Sequence, residues 1–135
     1  MNKKVILAIS SVAFVIISIL FINFKTVDNE ILEQTFMVGA VYHENDDYVE
    51  ISFQDKTNKT KNVILEILGM PESFHKEYTS QIFVEKIQFP LPPKYGWQST
   101  PVILLVEHEE LGKIEIKTEI RPIGEKPAMI IFSKL

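Results

Sequence analysis

Two short runs bring imidazole and carboxylate side chains together: His43-Glu44-Asn45-Asp46-Asp47 and Glu107-His108-Glu109-Glu110. Imidazole nitrogen combined with carboxylate oxygen suits zinc or copper. A metal site built from His43, Asp46, His108 and Glu109 requires the two strand ends that carry them to adjoin. The spacing repeats no established ligand motif, and acidic residues beside a strand end are ordinary in solvated turns, so the turn is the favoured reading. His75 lies in a separate polar stretch and adds no case of its own.

Other chemistry is sparse. The chain has no cysteine, which removes disulfides, thiol nucleophiles and blue-copper sites at once. Its glycines, Gly39, Gly69, Gly96, Gly112 and Gly124, are scattered singly, so no loop is built to cradle a phosphate. Neither G-x-S-x-G nor H-E-x-x-H occurs. No catalytic set and no cofactor is expected.

Binding residues are easier to nominate. The proline-rich stretch Leu91 to Trp97 carries Tyr95 and Trp97, and the stretch Met70 to Tyr78 carries Met70 and Phe74. Aromatic and Met side chains on loops above a rigid scaffold make hot spots for a partner. The competing role, favoured for Trp97, is to cap an open end of the core. Asn58-Lys59-Thr60 forms an N-x-T glycosylation sequon in a polar stretch.

These residues must be positioned by strands. From Phe36 onward the sequence falls into short runs rich in β-branched and aromatic residues with period two, separated by turn chemistry. Strands are expected at Phe36 to His43, Tyr48 to Gln54, Asn62 to Leu68, Gln81 to Phe89, Val102 to His108, Lys113 to Arg121 and Ala128 to Phe132. In Tyr48 to Gln54, Val49, Ile51 and Phe53 face one way while Glu50, Ser52 and Gln54 face the other, the pattern of a half-buried strand. After Gly69-Met70-Pro71, the stretch from Glu72 to Ser80 reads as an excursion. Pro90, Pro92, Pro93 and Pro101 make the segment around Trp97 a stiff loop, because proline lacks the donor a ladder needs.

About seven strands in about 100 residues, at the spacing of an all-β domain, imply a β-sandwich. In strand count and spacing, residues 36–133 resemble an immunoglobulin-like or fibronectin type III-like sandwich, although the disulfide cysteines of immunoglobulin domains are absent.

What precedes the sandwich is of another kind. Val5 to Phe24 holds twenty residues without charge or proline. As a helix rising about 1.5 Å per residue, it matches the roughly 30 Å hydrocarbon layer of a bilayer. The exit, Ser18-Ile19-Leu20-Phe21-Ile22-Asn23-Phe24, is too bulky for signal peptidase, so an uncleaved signal anchor in the lipid bilayer is expected over 5–24. Lys3 and Lys4 on the short side put residues 1–4 in the cytoplasm and residues 36–135 outside it. Residues 25–35 continue the helix or serve as a spacer.

Residues 25–135 contain 12 basic and 18 acidic side chains, a net charge of −6. That balance excludes nucleic acid, which needs a cationic footprint. The sequence therefore points to a single-pass, membrane-anchored, extracytoplasmic module that binds another membrane or cell-surface protein. A metal-handling domain is the alternative.

Overall fold

The computed structural model describes residues 3–135, and the side chains of all of these except 4–8 and 18–28. The chain forms two compact units whose border falls between Gln34 and Thr35. The described part of the first belongs to helix α1, Lys3–Thr35, whose last residue already falls in the second unit. Residues 25–35, open between helix and spacer in the sequence, are helical; Glu, Leu and Gln there are good helix formers, and Gln34 Nε2 donates to Glu30 Oε1 at 3.4 Å. Among the described residues no helix is long and apolar enough to cross a membrane. The expected span over 5–24 falls in large part on side chains outside the described residues.

The second unit is all β. Its strands are β1 (Phe36–His43), β2 (Tyr48–Asp55), β3 (Thr60–Ile67), β4 (Phe74–Tyr78), β5 (Ile82–Gln88), β6 (Pro101–His108), β7 (Gly112–Glu119), β8 (Arg121–Pro122) and β9 (Ile131–Lys134). They form two sheets, ordered β5-β2-β1-β8 and β4-β3-β6-β7-β9. All pairings are antiparallel except β1 with β8.

The period-two pattern fills the space between the sheets. Val49, Ile51 and Phe53 of β2, Val63, Leu65 and Ile67 of β3, Val102 and Leu104 of β6, and Ile114 and Ile116 of β7 are each at most 1% exposed. A fully buried aliphatic side chain stabilises the fold by about 1.5–3 kcal/mol, so this inner layer supplies the stability that no disulfide provides. Phe53 stacks on both Phe36 and Phe83, with ring centroids 5.8 and 5.4 Å away.

Three differences from the sequence expectation have local causes. The excursion contains strand β4, which displays His75, Lys76 and Glu77 to solvent and so shows no apolar alternation. It is held by pairing with β3 and by Tyr78, whose ring lies 3.8 Å from that of Phe83 and whose hydroxyl donates to Glu85 at 2.5 Å. Arg121–Pro122 forms a separate two-residue strand against Val41 and Tyr42 rather than continuing β7. The last strand begins at Ile131, three residues later than the sequence suggests.

Because adjoining strands alternate in direction, the sandwich has two distinct ends. The proximal end carries Phe36, the β2–β3 connection between the sheets and the β6–β7 turn. The distal end carries the loops 44–47, 68–73 and 89–100. Gly69 sits there with φ +78, and a Cβ at this position would lie 1.9 Å from the Ser99 carbonyl oxygen. Only glycine satisfies both demands. Gly69→Ala is expected to cost at least about 2 kcal/mol and to lower Tm by roughly 8–16 °C, measured by thermal circular dichroism.

Candidate functional site

At the proximal end β2 must turn into β3 within four residues, and Asp55 organises that turn. Its Oδ1 accepts from the Thr57 N–H at 2.8 Å and the Thr57 hydroxyl at 2.6 Å. Its Oδ2 accepts from the Lys59 N–H at 2.9 Å and the Thr60 hydroxyl at 2.7 Å. Asn58, at the tip, takes φ 56, a left-handed conformation that Asn tolerates better than most residues.

His108, at the end of β6, closes the cluster from the other sheet. Its Nδ1 accepts from the N–H groups of Glu110 at 3.2 Å and Leu111 at 3.1 Å. That nitrogen therefore carries a lone pair, and the ring proton resides on Nε2, which faces Thr57 Oγ1 at 3.0 Å and Asp55 Oδ2 at 3.3 Å. The side chains of His108 and Asp55 are 1% and 0% exposed. Phe36 covers the imidazole edge-on, with centroids 5.7 Å apart.

A carboxylate, an imidazole and a hydroxyl in mutual contact invite comparison with a nucleophilic triad. In such a triad the hydroxyl and the carboxylate bond opposite ring nitrogens, and the nitrogen facing the hydroxyl is free to take its proton. Here both face Nε2, which already holds a proton, and the Thr57 hydroxyl donates to Asp55. The cluster is a clamp between the two sheets. Burial pushes the Asp55 carboxyl up, but the hydroxyls of Thr57 and Thr60 and the N–H groups of Thr57 and Lys59 outweigh it and hold the pKa at about 2, below the ordinary 3.8.

The four residues nominated for a metal do not converge. β1 and β6 run in opposite directions, so His43 ends at the distal end and His108 at the proximal end. The level of His43 is that of Tyr48 and the level of His108 is that of Asp55, seven residues along β2, about 23 Å at ~3.3 Å per residue. His43 instead stacks on Tyr48, ring centroids 4.4 Å apart, with Glu50 Oε2 3.9 Å from its Nε2. Asp46 and Glu109 are exposed. Among the described residues no group of three or more His, Cys, Asp or Glu is placed to hold a metal ion.

The aromatic nominees do gather at one end. Trp97 is half-buried against Tyr42 and Phe89, at 4.9 and 5.6 Å between centroids, and covers the distal mouth of the core. Tyr95 remains 75% exposed, as does Leu91 in the same loop. Met70 in the neighbouring loop and Phe74 at the start of β4 are half-buried, and the close approach of Gly69 to Ser99 brings the two loops together. Trp97 thus lies against the core, while Tyr95 and Leu91 stay exposed.

Sequence reasoning named His108 and missed Asp55, Thr57 and Thr60. Their signal was present in Asp55-Lys56-Thr57-Asn58-Lys59-Thr60: an Asp with hydroxyls two and five residues on is turn chemistry. The same run contains the sequon. Asn58 is exposed at the tip, while the Thr60 hydroxyl is buried on Asp55.

The clamp has a pH dependence whose sign is fixed by the lowered Asp55 pKa. Its contribution is complete above about pH 4 and is lost as pH falls through about 2. At neutral pH it amounts to about 2 kcal/mol. Urea unfolding followed by Trp97 fluorescence should show Asp55→Asn less stable by at least about 2 kcal/mol at pH 7, with a gap that narrows between pH 4 and 2. At the other end, Trp97→Ala should cost roughly 2–3 kcal/mol by circular dichroism, whereas Tyr95→Ala should stay within about 0.5 kcal/mol of the parent. No family model, curated protein or solved structure matches the chain.

Proposed function

We propose that the protein is a single-pass membrane protein whose extracytoplasmic β-sandwich binds another membrane or cell-surface protein through its distal loops. The observation that carries this reading is the division of labour between the two ends. The chain enters the sandwich at Phe36, in the clamped proximal end, while the exposed Tyr95 and Leu91 lie in a loop at the opposite end.

Membrane attachment is supported by the uncharged run over 5–24 and by the described part of it. Ile9, Val12, Val15, Ile16 and Ile17 are each more than half exposed. Advancing ~100° per residue, Val15, Ile16 and Ile17 point to three faces of the helix. A helix that is apolar all round belongs in a medium that is apolar all round. The connectivity of the second unit, with β2 in one sheet and β3 in the other, supports a fibronectin type III-like or immunoglobulin-like reading of the sandwich. Its acidic surface favours a protein partner over nucleic acid or anionic lipid.

The test is fractionation of cells expressing the full-length chain, combining alkaline carbonate extraction, protease protection and intact mass. The expected result is full-length mass in the carbonate-resistant pellet, with residues 36–135 digested from outside intact cells. A shortened, soluble product, or a sandwich protected from external protease, would overturn the reading.

A further inference from the structure

We infer that the outer edge of β1 is an acceptor for an extended peptide strand of a partner protein, which adds to the sheet beside β8. The site is separate from the distal loops and does not depend on where residues 5–24 reside.

Strand β1 pairs along its whole length with β2, from Phe36 to His43, but on its other side β8 covers only Val41 and Tyr42. The Tyr42 carbonyl accepts from the Ile123 N–H at 2.9 Å, so Tyr42 turns its peptide groups to the β8 side. Direction alternates residue by residue along a strand, so Ala40 and Val38 turn theirs the same way, and Val38 lies beyond the reach of β8. What remains is a short ladder of backbone donors and acceptors, and the group that matches it is another extended backbone.

A groove of about 220 Å³ lies at this edge, and Val38, Gly39 and Ala40 line it together with Pro122, Ile123 and Ala128. That is below the roughly 300–1,000 Å³ of sites that enclose a small molecule. It is enough for one or two apolar side chains of a paired strand.

The other edges are guarded in the usual way. β4 exposes His75, Lys76 and Glu77; β5 carries Glu85 and Lys86; β9 carries Lys134. Charges on an edge discourage pairing with another chain. From Phe36 to Tyr42 the sequence FMVGAVY has neither charge nor proline. The rim of the groove holds Glu119 and Glu125 against one cation, Arg121, whose Nη1 is already engaged by Glu119 at 2.8 Å. The strand that fits is apolar and alternating, with a basic residue at its flank.

Amide hydrogen exchange on the full-length chain in detergent micelles tests this. The probe is the synthetic peptide Lys-Val-Thr-Val-Thr-Val-Lys, and its control has proline at the central position. In the free protein the Val38 amide should exchange at least roughly tenfold faster than Gly39 and Val41, which face β2. The probe should slow it by a similar factor and the control should not. Val38→Pro removes an amide with no strand partner, so it should keep Tm within a few degrees and lose the probe. A Val38 amide already as slow as Gly39 would mean the edge is covered. Protection that rises with protein concentration alone would assign the edge to a second copy. Either result, a Val38 amide indifferent to millimolar probe, or a Val38→Pro protein that still binds it overturns the proposal; if that variant does not fold, the exchange measurement on the parent decides.

Discussion

The sandwich is organised by one buried carboxylate. Asp55 is withdrawn from water, and the cost of that withdrawal is offset only because Thr57, Lys59 and Thr60 supply donors to both oxygens. A buried charge so satisfied dictates the path of the β2–β3 turn, which carries the chain from one sheet to the other. It also fixes what stands opposite: the Nε2 proton of His108 is directed at Asp55 and Thr57 because Nδ1 is committed to the turn that follows. One residue thereby ties the first sheet, through β2, to the second, through β3 and β6.

That constraint explains why the two ends differ. The proximal end is closed by charge-assisted hydrogen bonds and by Phe36 over the imidazole. The distal end is closed by Trp97 lying on Tyr42 and Phe89, a contact that excludes water without directional bonds. Loops held this way keep exposed groups on a fixed base, and Tyr95 and Leu91 are such groups.

Much of this was legible in the sequence. Alternation in β2 and β7 gave their faces, because a strand with one face buried must alternate. β4 escaped because a short edge strand displays polar side chains and earns its place by pairing with β3 rather than by periodicity. The nominated metal site failed on strand direction, a property of the whole topology that no local spacing encodes. The clamp lay in plain view as turn chemistry, but the partner of Asp55 is His108, fifty-three residues away in sequence, and only the pairing of β3 with β6 brings it there. Trp97 was separable from Tyr95 only by burial.

The most direct test of the clamp is the tautomeric state of His108, read by long-range proton–nitrogen NMR correlation on the full-length protein at neutral pH. A proton fixed on Nε2, with Nδ1 unprotonated and both sharpened by burial, is the predicted result. A proton on Nδ1, or a ring averaging between tautomers, would contradict the arrangement in which Asp55 and His108 join the two sheets.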